Sequence, residues 1–215
     1  MSPWWQRFFT QRPKPSSKAI SVPPTRRNPL FEPLIERPGT DWAPPNYAEY
    51  YAKSVPVYAA VKLRADALTR APLVVHRRLR DGDTEPVETQ HPYQRLLDKV
   101  NGDMTADDLL SATSTLLDLY GACFWLLVKQ GETSQPTEIW PVRPDVVRVL
   151  KRKRQPALGF ILREDGRETP LLPSEMVWLR QYNPFDENAG FSPIAPAKLS
   201  IDMGIDALRH NRNVF

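Results

Sequence analysis

The stretch that most restricts how this chain can fold runs from Met104 to Lys129. It reads as a capped helix, a glycine stop and a buried strand, with no linker between them. Thr105 is an N-cap residue, and Asp107 and Asp108 put negative charge in the first turn, where free backbone N–H groups and the helix dipole favour it. Leu109, Leu110, Thr113, Leu116, Leu117 and Tyr120 recur at helical spacing, which predicts one apolar face. Gly121 then ends the helix, because a residue without a Cβ adopts left-handed angles at no steric cost. Ala122 to Val128 is almost wholly apolar and aromatic, as suits a strand covered on both faces. Nothing in this core carries chemistry, which tilts the reading toward a scaffold.

The N-terminal segment obeys different rules. Of 23 prolines, set against nine glycines, Pro3, Pro13, Pro15, Pro23, Pro24 and others up to Pro45 crowd together. They remove backbone donors and disfavour helix at the residue before each, so residues 1–45 are expected to form an extended arm. Trp4, Trp5, Phe8 and Phe9, with Phe31 and Trp42 farther on, are more large apolar groups than a solvated linker carries. An arm lying on its own body or on a neighbouring subunit fits them; a disordered tail with sticky residues is the alternative.

Residues 46–215 read as an α+β body. Tyr47 to Thr69 is mostly helical, with Pro56 as a break or first-turn residue and Val57, Val61, Ala65 and Leu68 as its apolar stripe. Leu73 to Arg80 reads as a strand, followed by an Asp81-Gly82-Asp83 turn. After the central helix, strands are expected at Glu138–Val142, Val146–Leu150, Gly159–Arg163 and Leu171–Arg180, with Asp165-Gly166 as a hairpin turn. Ser192-Pro193 supplies the cap and first-turn proline of a last helix striped by Ile194, Ala197, Ile201, Ile205 and Leu208. That helix has no glycine cap or proline stop, so the chain is expected to continue in a longer protein.

A net charge of +4 and a pI near 9.2 permit contact with nucleic acid without requiring it. Lys151, Arg152, Lys153 and Arg154 form a basic hairpin tip that suits phosphate backbones or an acidic partner; a solvated turn is the plainer account. Arg77, Arg78 and Arg80 form a second basic cluster at the exposed end of a strand. Cys123 lies in an apolar strand and reads as a buried hydrophobe. His76, His91 and His210 stand at no metal spacing, Asp202 and Asp206 suit a solvated helix face, and no phosphate-binding glycine loop or nucleophile elbow occurs. No catalytic residue, metal or cofactor is therefore expected, and no apolar run approaches the roughly 20 residues of a membrane span.

Taken in order, several segments resemble the portal proteins of tailed bacteriophages and prophages. Val57-Tyr58-Ala59-Ala60-Val61, Arg64 to Leu68 and Ala71-Pro72-Leu73 are similar to the family's first helix and its exit. His91-Pro92, Leu96-Leu97, Asn101 and Met104-Thr105 resemble its HP…LL…N…MT stretch. Leu119-Tyr120-Gly121 resembles its LYG hinge, and Ile139-Trp140-Pro141-Val142 with Pro144-Asp145 its LWPL-x-PD segment. Leu172 to Trp178 resembles LP-x-E-x-V-x-H, with Trp178 in place of His, and Gly190 to Ile194 the GxSPI turn into a long helix.

The resemblance covers roughly residues 55–215 and implies a portal wing-like α+β domain leading toward a stem beyond residue 215. It implies a structural subunit of a ring of about twelve copies at one capsid vertex. The ring would conduct double-stranded DNA during packaging and ejection and dock the terminase large subunit and head-completion or adaptor proteins. The implied setting is the virion, next to the major capsid protein, after assembly in the host bacterial cytoplasm, with no membrane contact. The N-terminal arm lies outside the resemblance; Trp4, Trp5, Phe8 and Phe9 are its candidate contacts to a neighbour, the capsid or an adaptor. An autonomous basic nucleic-acid-binding module is the alternative reading, and an enzyme such as a nuclease lacks convergent carboxylates or histidines.

Overall fold

The computed structural model describes residues 47–129, 135–151, 156–186 and 189–214. It opens with two helices, α1 (Ala48–Lys53) and α2 (Val55–Thr69), separated at Ser54, whose extended angles interrupt the helical turn. Pro56 sits in the first turn of α2, where its missing N–H costs nothing. Val57, Val61 and Ala65 are buried as their spacing predicts, while Leu68, in the last turn, is exposed.

Leu73 to Arg80 does not form the continuous strand expected. Only β1 (His76–Arg78) pairs, with β2 (Thr84–Pro86), in an exposed hairpin. The backbone before it is captured by a side chain instead: Gln94 accepts from the Val75 N–H (2.9 Å) and donates to the Leu73 carbonyl (3.4 Å). Gln94 belongs to α3 (Pro92–Asp98), which His91 caps by accepting from the Tyr93 N–H (3.3 Å).

The central helix α4 (Ala106–Tyr120) begins in a reciprocal capping box between Thr105 and Asp108. It is buried more completely than a single stripe predicts. Leu109, Leu110, Thr113, Leu116 and Tyr120 are buried, and so are Ser111, Ala112, Ser114, Asp118 and Leu119. One side of α4 meets the sheet and another meets α2. Ser111, Ser114 and Asp118 share the side that Arg64 of α2 approaches; small side chains let two helices come close there.

Six further strands follow: β3 (Ala122–Val128), β4 (Glu138–Val142), β5 (Val147–Lys151), β6 (Ala157–Glu164), β7 (Arg167–Leu171) and β8 (Met176–Arg180). They make two antiparallel three-stranded sheets, ordered β4-β3-β8 and β5-β6-β7, with a 3-10 turn at Pro144–Val146 between them. Alternation along β3 explains its apolar composition. Phe124 and Leu126 pack toward the second sheet with Val142, Val147, Phe160, Leu162 and Met176. Trp125 and Leu127 point the other way, against Leu96, Val100 and Leu109. The Trp125 indole N–H donates to Thr113 Oγ1 of α4 (2.8 Å), so its polar edge is satisfied in the packed interior.

Leu171 to Arg180, expected as one strand, divides between the sheets. Leu171 ends β7 and Met176 begins β8. The Glu175 carboxylate accepts from the Leu172 N–H (2.7 Å) and the Glu175 N–H donates to the Leu172 carbonyl (3.0 Å), closing the turn between them. Asp165-Gly166 forms the predicted two-residue hairpin turn, both residues at positive φ (51° and 76°) as its twist requires.

The last helix, α5 (Ile194–Val214), departs from its predicted stripe. Ile194 is buried and Ile201 and Ile205 are half-buried, but Ala197 and Leu208 are exposed. Beyond its first turn α5 has little cover; one contact is the Tyr50 hydroxyl of α1, which hydrogen-bonds Asp202 and Lys198.

Candidate functional surfaces

The joint between α4 and α5 is the most tightly determined place in the fold. Gly121 takes left-handed angles (φ 74°, ψ −2°) and donates to the Leu117 carbonyl (2.9 Å), ending α4 as predicted. The backbone of Gly190 passes directly against it. A Cβ on Gly121 would lie 2.5 Å from the Gly190 carbonyl carbon, and one on Gly190 would fall on the Gly121 carbonyl. Ser192 completes the joint: its hydroxyl donates to the Asp118 carbonyl and accepts from the Ile194 N–H (3.1 Å), tying the last turn of α4 to the first of α5.

Asp118 adds a third helix. Its carboxylate is buried, 3.2 Å from the Arg64 guanidinium of α2, and neither oxygen accepts a hydrogen bond among the described residues. Burial pushes the carboxyl above the usual aspartate range, and the Arg64 charge offsets only part of that.

The residues singled out from sequence do not converge on one site. Lys151 ends β5 and is half-buried; Arg152, Lys153 and Arg154 lie outside the described residues, as do Trp4, Trp5, Phe8 and Phe9. Arg77, Arg78 and Arg80 stand on the exposed hairpin, His76 beside them. Burial pushes the Cys123 thiol up to about 12, which keeps it an unreactive core residue. Asp202 pairs with Lys198 (2.8 Å) and Asp206 with Arg209 (3.2 Å), so the two carboxylates have separate partners. Among the described residues no three His, Cys, Asp or Glu are placed to hold a metal ion, and no helix is long and apolar enough to cross a membrane.

Exposed apolar residues were the surface feature that periodicity missed. Leu199 and Met203, 72% and 66% exposed, lie four residues apart on α5, off its predicted stripe. Tyr182 and Phe185 are 85% and 83% exposed on the preceding loop, where the Asn183 side chain accepts from the Phe185 N–H (2.9 Å). The available signal was an apolar residue outside the apolar phase of a helix, which helix burial alone does not explain.

The described residues thus form an α+β body joined at the Gly121–Gly190 contact to a 21-residue helix. The sequence matches the family described as phage portal protein over residues 56–215, and the chain belongs to that family. The fold is similar to a chain in the virion of the native gene transfer agent (GTA) particle, with 20% identity and a TM-score of 0.65. It is likewise similar to chains in the neck of the empty GTA particle computed with C6 symmetry (20%, 0.67) and the neck of the native particle computed with C12 symmetry (19%, 0.63). The alignments cover 80%, 80% and 78% of this chain but only 46%, 46% and 43% of those, so it spans under half their length. No curated protein matches the sequence.

Proposed function

We propose that the chain forms the wing portion of a portal subunit, a non-catalytic ring component at the capsid vertex through which DNA is packaged and ejected. The observation that carries this reading is the family match over residues 56–215. The fold likeness to particle necks, one computed with C12 symmetry, supports a ring of about that order. In this reading residues 1–45 are an extended arm and 46–215 the wing-like domain. Subunits bury apolar surface such as Leu199 and Met203 against neighbours, and the ring admits double-stranded DNA without reading its sequence. Terminase large subunit, head-completion or adaptor proteins and the major capsid protein are its partners, and the virion its destination after assembly in the host cytoplasm.

Two finer assignments belong to the same proposal. Trp4, Trp5, Phe8 and Phe9 clamp a neighbour, the capsid or an adaptor, and deleting residues 1–45 should abolish at least one of ring formation, capsid incorporation and adaptor binding. Lys151 to Arg154 touch passing DNA or an acidic partner. The decisive experiment is negative-stain electron microscopy of the protein made from its complete native reading frame. Rings with a central hole are expected. Dispersed monomers that hold duplex DNA tightly, with steep salt dependence, would instead favour an autonomous nucleic-acid-binding module.

A further inference from the structure

The β1–β2 hairpin separates its charges along the chain. Arg77 and Arg78 lie on β1 and Arg80 where the turn begins; Asp81 and Asp83 follow in the turn, Glu85 on β2 and Glu88 two residues beyond it. Every residue from His76 to Pro86 is exposed. The register, His76 to Pro86, Arg77 to Glu85 and Arg78 to Thr84, sets only Arg77 opposite an acid. Even that pair is long, at 3.9 Å. Arg78 faces a threonine, and among the described residues Arg78, Arg80, Asp83 and Glu88 make no ion pair. Opposite charges have been collected on one projection and left largely unneutralised.

The backbone explains which edges are open. Leu79 N–H donates to the Asp83 carbonyl (2.8 Å) and Val87 N–H to the Val75 carbonyl (3.0 Å). By antiparallel alternation, His76 and Arg78 then turn their backbone groups outward at one edge, and Thr84 and Pro86 at the other. Pro86 has no N–H, so a continuous added strand is blocked on the acidic edge and charge must carry recognition there. A polyanion fits poorly, because four carboxylates share the projection with three guanidiniums. A second copy of this chain fits both sides: the cationic side against the anionic side is a heterologous contact, which repeats in one direction and makes a ring where its rotation closes.

We infer that the β1–β2 hairpin is a head-to-tail contact between copies of this chain, the basic side of one (Arg77, Arg78 and Arg80) meeting the acidic turn and β2 side of the next (Asp81, Asp83, Glu85 and Glu88). The inference rests on the ring reading above.

Two charge-reversed variants test it, Arg78→Glu with Arg80→Glu, and Asp83→Lys with Glu88→Lys. Assembly is followed by mass photometry at low and high salt, with circular dichroism as the check on folding. Each variant alone should associate roughly tenfold or more weakly than wild type, because like charges then face each other. An equimolar mixture should recover association, since the two altered hairpins complement one another in alternation. Wild-type rings matched by rings of each separate variant would overturn the hairpin contact and leave the ring reading standing. Weakened variants that stay weak when mixed would also overturn it, as damage rather than lost pairing. Loss of duplex-DNA retention by the arginine variant, with unchanged assembly, would make the cluster a nucleic-acid contact instead. A wild type that stays monomeric in every condition removes both the ring and this contact.

Discussion

The two long helices α4 and α5 share an apolar pattern in sequence and have opposite fates in the fold. Each has a capping hydroxyl near its start and a stripe at helical spacing. Yet α4 is buried on the sheet side and on the α2 side, whereas α5 leaves the body after its first turn. The difference lies in the residues between the stripes. In α4 these are small, Ser111, Ala112 and Ser114, beside one carboxylate, Asp118, that Arg64 of α2 meets, and a second element can approach. In α5 they include Lys198, Asp202, Asp206 and Arg209, charged groups that pair along the helix and meet α1 through the Tyr50 hydroxyl rather than by apolar packing. Leu199 and Met203 lie beside that charged side and are largely exposed. An apolar stripe says where a helix can pack; the remaining faces decide how many partners it takes.

The joint between these helices is where the contrast breaks most easily. Gly190→Ala should have the largest effect, because its Cβ would overlap backbone of Gly121, which is itself fixed at positive φ. Neither side can yield as a flexible side chain would. The expected cost exceeds about 3 kcal/mol, read as loss of the cooperative thermal transition or failure to accumulate folded protein. Near-wild-type melting would mean that α5 can re-seat on the body. Next comes truncation inside α4. Leu109→Ala removes a fully buried side chain from the cluster with Leu96, Val100 and Ile139, and should lower stability by about 2–5 kcal/mol in chemical denaturation.

How much of this was legible depended on whether the determinant was local. Thr105, Asp108 and Gly121 act within a few residues of themselves, so the ends of α4 and the start of β3 came from sequence alone. The turn at Asp165-Gly166 did too. The division of Leu171–Arg180 was not visible, because it depends on Glu175 closing a turn between strands that belong to different sheets. Shortening of the Leu73–Arg80 strand needed Gln94, about twenty residues away. Both glycines belong to turns the sequence marked, but their mutual approach is a tertiary fact that neither turn specifies. Of the candidate contact residues, Lys151 alone falls among those described.

Asp118 offers a smaller effect whose sign identifies its cause. Its folded-state pKa is raised, so the native state holds the proton more tightly than the unfolded chain. Stability from this group is therefore full below the usual aspartate value and falls as pH rises through the raised one. Asp118→Asn should then be more stable than wild type at neutral pH, with the advantage vanishing as pH falls below the usual aspartate range. Arg64→Ala should act oppositely at neutral pH, by about 1–3 kcal/mol, since it strips the opposite charge from a buried carboxylate. A Asp118→Asn variant that is less stable at neutral pH would show that the ion pair outweighs the desolvation.

The smallest effect on folding sharpens the comparison most. Leu199→Ser with Met203→Ser alters large apolar side chains, as Leu109→Ala does, but at positions 72% and 66% exposed. Denaturation midpoints should stay within about 0.5 kcal/mol of wild type, because little buried area is lost. If these residues serve neighbours, association should weaken while the monomer keeps its stability, and sedimentation of the pair variant beside wild type separates the two quantities. Unchanged association would return Leu199 and Met203 to the ordinary class of scattered surface apolar groups. A substantial loss of monomer stability would instead mean that α5 is covered by something outside the described residues, and the contrast with α4 would narrow to the hydrogen bonds at Ser192.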